Sequence, residues 1–418
     1  MNKSTVSILL SMTARQWLVG CFAGWLFLAV LTPEEVYRTF FHTIIYLLTL
    51  YIVFKRQDEL PWSDPFLKVF LIFCGYMAVT TWFVGNGPGD RDAQAARWGF
   101  EAALGMMAFT LWMPSVAANK LVWRRVFLLV ALCGALAALL LMSTDEYLRL
   151  SGAGVMENAI QGASIAIVLM AVGLFLLLDE RKKVSVTDIG LAFATVLAVC
   201  IFVTLTKSRA PIVTLFFYLF LVTLLIGCRA RPFVTAVAFL LVLLVSLVFV
   251  HWLVDLESLY SQLLARGDSL RLDIWQAYLG HPPESLLIGN GAGLDFKFSD
   301  ASRLYLEPMG LFISHPHNLW LGVFSETGLI GVLMQAGLVA LPAWSVWRST
   351  LNVFSKFHLL GILGLFLMLT FTDEYTLLIS LHPIWIIGWI PLVFVWTYSR
   401  AASKPIRFDY NGSDMGDM

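Results

Sequence analysis

Twelve apolar stretches, each near the length that crosses a bilayer, constrain this 418-residue chain more than any other feature. A helix needs about 20 mostly apolar residues to traverse the hydrocarbon. The stretches fall at roughly 14–32, 36–54, 66–84, 97–115, 124–142, 160–178, 187–206, 210–227, 232–252, 317–345, 357–372 and 383–399. They are continuous runs without the period-two alternation of barrel strands. Unpaired backbone groups are also not tolerated in lipid, so the spans are expected to be helices. Only 13% of the residues are charged and 59% are hydrophobic, with a mean hydropathy of +0.79. That leaves too little polar surface to cover a water-soluble body of this size. The expectation is an all-α polytopic membrane protein with about 12 transmembrane helices, the first retained because it lacks a small-residue cleavage site.

The charge balance narrows the function. With 28 basic and 28 acidic residues the net charge is zero, which supplies no footprint for nucleic acid. With the N-terminus in the cytoplasm, about two thirds of the Lys and Arg fall on the cytoplasmic side, as the positive-inside rule requires. An even span count then puts both termini inside. Cys21, Cys74, Cys133, Cys200 and Cys228 lie in or beside apolar runs without a C-x-x-C pair, so they read as small buried hydrophobes.

The division expected from these runs is spans 1–9 in residues 1–252, a long outer loop at 253–316, spans 10–12 in 317–399 and a cytoplasmic tail at 400–418, disordered after Arg407. A connection this long in a compact protein is functional or disordered, and this one is not low-complexity. Leu256, Leu259, Tyr260 and Leu263 recur at helical spacing, which fits an amphipathic helix at the interface. A second helix is expected from an N-cap near Asp268, carrying Leu270, Ile274, Trp275 and Tyr278. Gly289-Asn290-Gly291-Ala292-Gly293 follows no strand, so it reads first as a turn and only weakly as a phosphate cradle. The loop is net acidic, so Arg266 and Arg271 are not part of a general basic surface. They flank a helix start, where free N–H groups also favour an anion. Pairing with Asp268 or Asp273 is the competing explanation.

In Ser314-His315-Pro316-His317-Asn318-Leu319, Pro316 suits the first turn of a helix with Ser314 or His315 as its cap. His317 then stands at a helix N-terminus, where the dipole favours the neutral ring that a general base requires. A His pair is also a start on a metal site, and a capping His is a third reading. Arg97 and Glu101 are four apart and suit an intrahelical pair. Glu326 lies nine residues beyond His317, on the opposite helix face, and suits packing rather than orientation of the ring. Asp373 and Glu374 close the eleventh span, either solvated at the interface or facing the same cavity.

These residues, taken in order, resemble the O-antigen ligase and polymerase superfamily. Thr206-Lys207-Ser208-Arg209 is similar to its Thr-x-Ser-Arg signature, and Arg266-Gly267 through Arg271 and Trp275 to its R-G-x-x-x-R-x-x-x-W pattern with downstream glycines. His317-Asn318, nine residues and then Gly328 and Gly331 resembles the ligase block, with Glu326 inside it. The resemblance implies a GT-C-like fold and a metal-independent, inverting glycosyl transfer at the periplasmic face of the bacterial inner membrane, with no cofactor. It implies undecaprenyl-pyrophosphate-linked O-antigen as donor and lipid A–core oligosaccharide as acceptor. It further implies Arg209, Arg266 and Arg271 on the pyrophosphate, His317 as general base with His315 in support, and Asn318, Trp275 and Glu326 as supporting residues. An O-antigen polymerase or an O-linked protein oligosaccharyltransferase shares the donor and differs in acceptor, and the His-Asn block favours the ligase. A lipid-linked glycan transporter is the alternative of another class, for which broken helices at the midplane are expected.

Overall fold

A computed structural model describes residues 12–83, 91–141, 149–179, 184–227, 271–292, 299–310, 313, 315–374 and 376–403. The chain there is helical: α1 (Ala14–Leu31), α2 (Glu34–Lys55), α3 (Pro65–Phe83), α4 (Arg91–Ala118), α5 (Lys120–Leu141) and α6 (Ala159–Asp179) lead the order. They are followed by α7 (Val186–Leu205), α8 (Arg209–Gly227), α9 (Arg271–Gly280), α10 (Leu319–Arg348), α11 (Val353–Thr372) and α12 (Ile390–Ser403, led in by a π-helical turn at Trp385–Trp389). Among the described residues nine helices are long and apolar enough to cross a membrane, and Pro65–Thr81 is a shorter apolar helix. Eleven of the twelve expected stretches coincide with helices. The stretch at 232–252, the amphipathic run from Leu256 to Leu263, Arg266, Gly267, Asp268, Leu270, Gly293, Ser314, Cys228 and residues 404–418 of the tail lie outside the described residues, whereas 400–403 of the expected tail continue α12.

Local chemistry sets the helix starts. Thr13 and Gln16 form a reciprocal capping box on α1, with Thr13 N donating to Gln16 Oε1 at 2.8 Å. Ser185 and Asp188 do the same on α7, and Asn352 caps α11 through Ser355 N at 3.1 Å. Each cap satisfies N–H groups that the first helical turn leaves open.

Helices in lipid gain little from hydrophobic transfer, so their association rests on close packing and interhelical hydrogen bonds. The buried helix α6 lies at the centre, its small residues Gly162, Ala163, Ala166, Ala171 and Gly173 letting neighbours approach. An aromatic block fills the space between α1, α2, α4 and the start of α12. Phe22 stacks on Trp112 at 4.3 Å, Trp385 stacks on Trp389 at 4.1 Å, and Phe109 bridges the two pairs edge-on. At mid-bundle Tyr218 of α8 meets His358 of α11 at 2.7 Å and donates to the Ala171 carbonyl of α6. Bonds of this kind in membranes average about 0.6 kcal/mol.

One end of the bundle is lashed by three aspartates. Asp188 takes both Arg124 and Arg125, and Asp179 takes Lys120, Ser355 and Tyr398. Asp64 takes Arg400 at 2.7 Å and Trp396 Nε1 at 3.0 Å. The opposite end carries the histidine and arginine motifs.

Candidate active site

The turn from α7 into α8 is made by Thr206-Lys207-Ser208. Thr206 Oγ1 donates to the Val203 carbonyl at 2.7 Å, and Ser208 Oγ donates to the Thr206 carbonyl at 3.1 Å. Lys207 takes a left-handed conformation, φ 52°, which reverses the chain within two residues. Arg209 therefore opens α8, where the helix dipole and free N–H groups add to its charge.

Arg271 is the first described residue of α9, which is docked by Ile274, Ala277 and Tyr278 packing on Ala301 and Leu306. Trp275 on the same helix donates from Nε1 to the Pro316 carbonyl at 3.1 Å and packs edge-on against Phe371 of α11 at 5.4 Å. The helix with the arginine is thereby pinned to the loop with the histidines. Burial pushes the Tyr278 phenol up, and its hydroxyl hydrogen-bonds Ser325 of α10.

Arg209 and Arg271, 62 residues apart in sequence, face one cavity of about 690 Å³ whose other lining includes Val213, Trp320, Leu367, Met368 and Phe371. Beyond the two arginines a tighter space of about 60 Å³ adds Arg149 and Lys207. Four cations thus surround a small volume that opens into a largely apolar one. A space lined by like charges favours an anion.

The cap of α10 differs from the expectation. Asn318, not Ser314 or His315, is the N-cap: its side-chain oxygen accepts from Trp320 N at 2.9 Å and Leu321 N at 3.1 Å. Asn caps better than His because a short carbonyl side chain reaches the second and third N–H groups. Pro316 accordingly lies before the helix, and His317 sits one residue outside it in a left-handed conformation, φ 51°. Such a conformation is uncommon for a residue with a Cβ and is concentrated at functional positions.

His317 Nδ1 lies 3.4 Å from Asp373 Oδ1, and its ring meets His315 edge-on at 4.1 Å. With Nδ1–H directed at the carboxylate, Nε2 carries the lone pair. Asp373, which the sequence left between interface and cavity, faces the histidine. Glu374 turns the other way. It is buried, accepts from Gln161 at 3.4 Å and lies 3.9 Å from His382 Nδ1. Desolvation, then Asp373, raises the Glu374 carboxyl well above the usual range. Desolvation, then Arg38, brings His382 down to about 4.

The glycine pattern is architectural. At Gly328 α10 breaks, φ 62° and ψ −163°. The turn at Leu286–Asn290 threads into the gap: Leu329 N donates to Leu286 O at 2.9 Å, Ile330 N to Leu287 O at 3.2 Å and Asn290 N to Ser325 O at 2.7 Å. Tyr76 adds a bond to the Thr327 carbonyl at 2.8 Å. A Cβ on Gly289 would come within 2.6 Å of the Glu326, Thr327 and Gly328 backbone. The Glu326 backbone belongs to this joint. Arg97 bonds Glu101 at 2.7 Å along α4, as its spacing suggested. Among the described residues no three His, Cys, Asp or Glu side chains converge as a metal-ligand set.

Arg149, Lys207 and His382 are site-end residues to which the sequence assigned no role. Lys207 sits inside the Thr-x-Ser-Arg motif, at its variable position. Arg149 belongs to no motif, and nothing in its sequence neighbourhood points to its convergence with Arg209.

Fold and site together define a multi-span helical membrane protein with a cationic cavity whose wall residue Thr372 precedes the aspartate of a His–Asp pair. Residues 191–336 match the O-antigen ligase family model, a range that holds Thr206–Arg209, Arg271, Trp275 and the His317–Gly331 block. The chain is also 26% identical over 387 residues to the O-antigen ligase of Pseudomonas aeruginosa, with 88% of each chain covered. The resemblance read from the motifs is thus matched by a family model over residues 191–336 and by a relative along most of the chain. Arg149 and Asp373 lie outside the matched range.

Proposed function

We propose that the protein transfers a glycan from undecaprenyl pyrophosphate to lipid A–core oligosaccharide at the periplasmic face of the bacterial inner membrane, with both termini cytoplasmic. The observation that supports this most is the shared cavity of Arg209 and Arg271, apolar on one side and cationic on the other, whose wall residue Thr372 precedes Asp373, the partner of His317. A polyprenyl pyrophosphate has that division of chemistry.

The acceptor hydroxyl attacks the anomeric carbon from the face opposite the pyrophosphate, which inverts the centre. His317 Nε2 receives the hydroxyl proton, with Asp373 holding the ring and stabilising the imidazolium that forms. The C–O bond to pyrophosphate breaks, and its electrons go to an oxygen met by Arg209 and Arg271, with Arg266 assigned there by its motif. Guanidinium forks suit this leaving group because they are planar and permanently charged. His315 supports the His317 ring, Trp275 fixes the loop, and Asn318 fixes the helix start.

The test is in vitro transfer from undecaprenyl-pyrophosphate glycan to purified lipid A–core with EDTA present, comparing the native protein with His317→Ala. Product from the native protein alone supports a metal-independent ligase that needs His317. Chain growth or protein glycosylation instead would keep the site and change the acceptor. Transport without donor cleavage would overturn the enzyme reading.

A further inference from the structure

Next to the cationic space is a second cavity, of about 560 Å³, which no motif touches. Its walls come from the start of α2 (Glu34, Tyr37, Arg38), the entry to α6 (Glu157, Asn158, Gln161), the 381–383 segment with His382, and Arg149. Arg149 is also a wall of the cationic space, so the two adjoin. Three volumes therefore follow one another. The apolar cavity shares Arg209 and Arg271 with the cationic space, and the cationic space shares Arg149 with this polar cavity.

The polar cavity differs in chemistry from the cationic one. Two carboxylates, Glu34 and Glu157, balance two guanidiniums, Arg38 and Arg149, so the cavity has no net preference for an anion. Its polar groups are held in place: Arg38 by Glu34 at 2.5 Å and by the Leu381 carbonyl at 2.8 Å, Gln161 by Glu374. Fixed donors and acceptors around a Tyr ring suit a neutral polyhydroxyl ligand, whose hydroxyls bond to the polar groups and whose C–H face lies on the aromatic. The volume lies within the about 300–1,000 Å³ range of small-molecule sites. His382 in this cavity wall lies 3.9 Å from Glu374, which follows Asp373, the partner of His317, in sequence.

We infer that this cavity is the subsite for the pyrophosphate-proximal sugars of the lipid-linked donor, so that tail, pyrophosphate and sugar occupy the three volumes in their chemical order. The assignment rests on the proposed transfer reaction for its donor, and on the cavity walls for its place.

Glu157 is the residue to change, because its side chain is exposed and its replacement removes no packing. Glu157→Gln removes a charged acceptor, and Glu157→Trp fills the space. In the purified full-length protein both variants are expected to raise the KM for undecaprenyl-pyrophosphate glycan, by about tenfold for Gln, the loss of one charge-assisted hydrogen bond. The acceptor KM should stay unchanged, and so should the Kd for bare undecaprenyl pyrophosphate, which lacks the sugar. An unchanged donor KM in Glu157→Trp would overturn the assignment. So would an acceptor KM that rises in its place, or an equal loss of affinity for the bare lipid. Failure of the native protein to transfer any glycan would sink the reaction instead. The subsite would then be read by binding, as a preference of the native protein for sugar-bearing over bare lipid that Glu157→Trp abolishes or, against the inference, leaves intact.

Discussion

At the residue scale the arrangement turns on what Asp373 does for His317. A carboxylate on Nδ1 holds one tautomer and stabilises the ring after it takes a proton. Asp373→Asn keeps the shape and allows the amide to present the wrong group to Nδ1. The expected outcome is a kcat lower by about 10²-fold or more, with donor KM nearly unchanged, measured by steady-state transfer. The neighbouring pair titrates in the opposite sense. His382 is held neutral, its pKa brought from about 6.5 down to about 4, so the unfolded chain binds the proton first as pH falls. Stability from this group is intact above pH 6.5 and is lost on the way down to 4, by about 3 kcal/mol. Glu374 acts the other way: its raised pKa makes ionisation costly as pH climbs above the ordinary carboxylate range. His382→Gln should flatten the acid limb of thermal stability in detergent, while Glu374→Gln should be tolerated at neutral pH. A steeper acid limb in His382→Gln would contradict this account. Arg209 and His317 were legible in the sequence because motifs mark them. Asp373 was visible only as an unplaced charge, since its meaning is a contact across 56 residues.

At the element scale the joint between the glycine turn and the break in α10 is the least replaceable part. Reading Gly289–Gly293 as a turn predicted the local bend, yet nothing in the sequence told that the turn enters another helix. The partner groups are backbone atoms, which leave no residue-specific trace. Gly331 shows the cost of a side chain there, because its Cβ would overlap Thr327. Gly328→Ala would add a left-handed alanine whose Cβ meets the Leu287 carbonyl. Little properly folded protein is expected from it by size-exclusion chromatography, and a normal yield would show the joint to be dispensable. Trp275→Phe is a gentler probe of the same region. It keeps the ring against Phe371 and removes only the bond to Pro316 O, about 1 kcal/mol. If that bond positions the loop, kcat should fall severalfold while thermal stability barely moves. The start of α10 teaches a similar lesson, since proline chemistry favoured a cap at 314 or 315 and a better one was available at Asn318.

Across the whole molecule, eleven of the expected spans were legible as helices because hydropathy over about 20 residues is a long signal. The packing that brings four cations together was not legible, because helix order in sequence does not fix neighbours in space. The two ends of the bundle separate folding from chemistry. Helix α7 carries Asp188 at its start and runs into the Arg209 turn, about 30 Å away for 20 residues at 1.5 Å each. At the start, Asp188 neutralises Arg124, which has no exposure at all. Removing one partner of a buried pair leaves an uncompensated charge, a loss of about 3–5 kcal/mol. Changes this far apart without shared partners act independently. Asp188→Asn should therefore lower the unfolding temperature and the yield of folded protein, whereas the molecules that do fold should transfer glycan with unchanged kcat and KM. A variant at Asp373 should show the reverse, full yield with little transfer. If Asp188→Asn instead altered the donor KM, the bundle would couple its ends through α7, and the cationic cavity would depend on the far ion pairs for its shape.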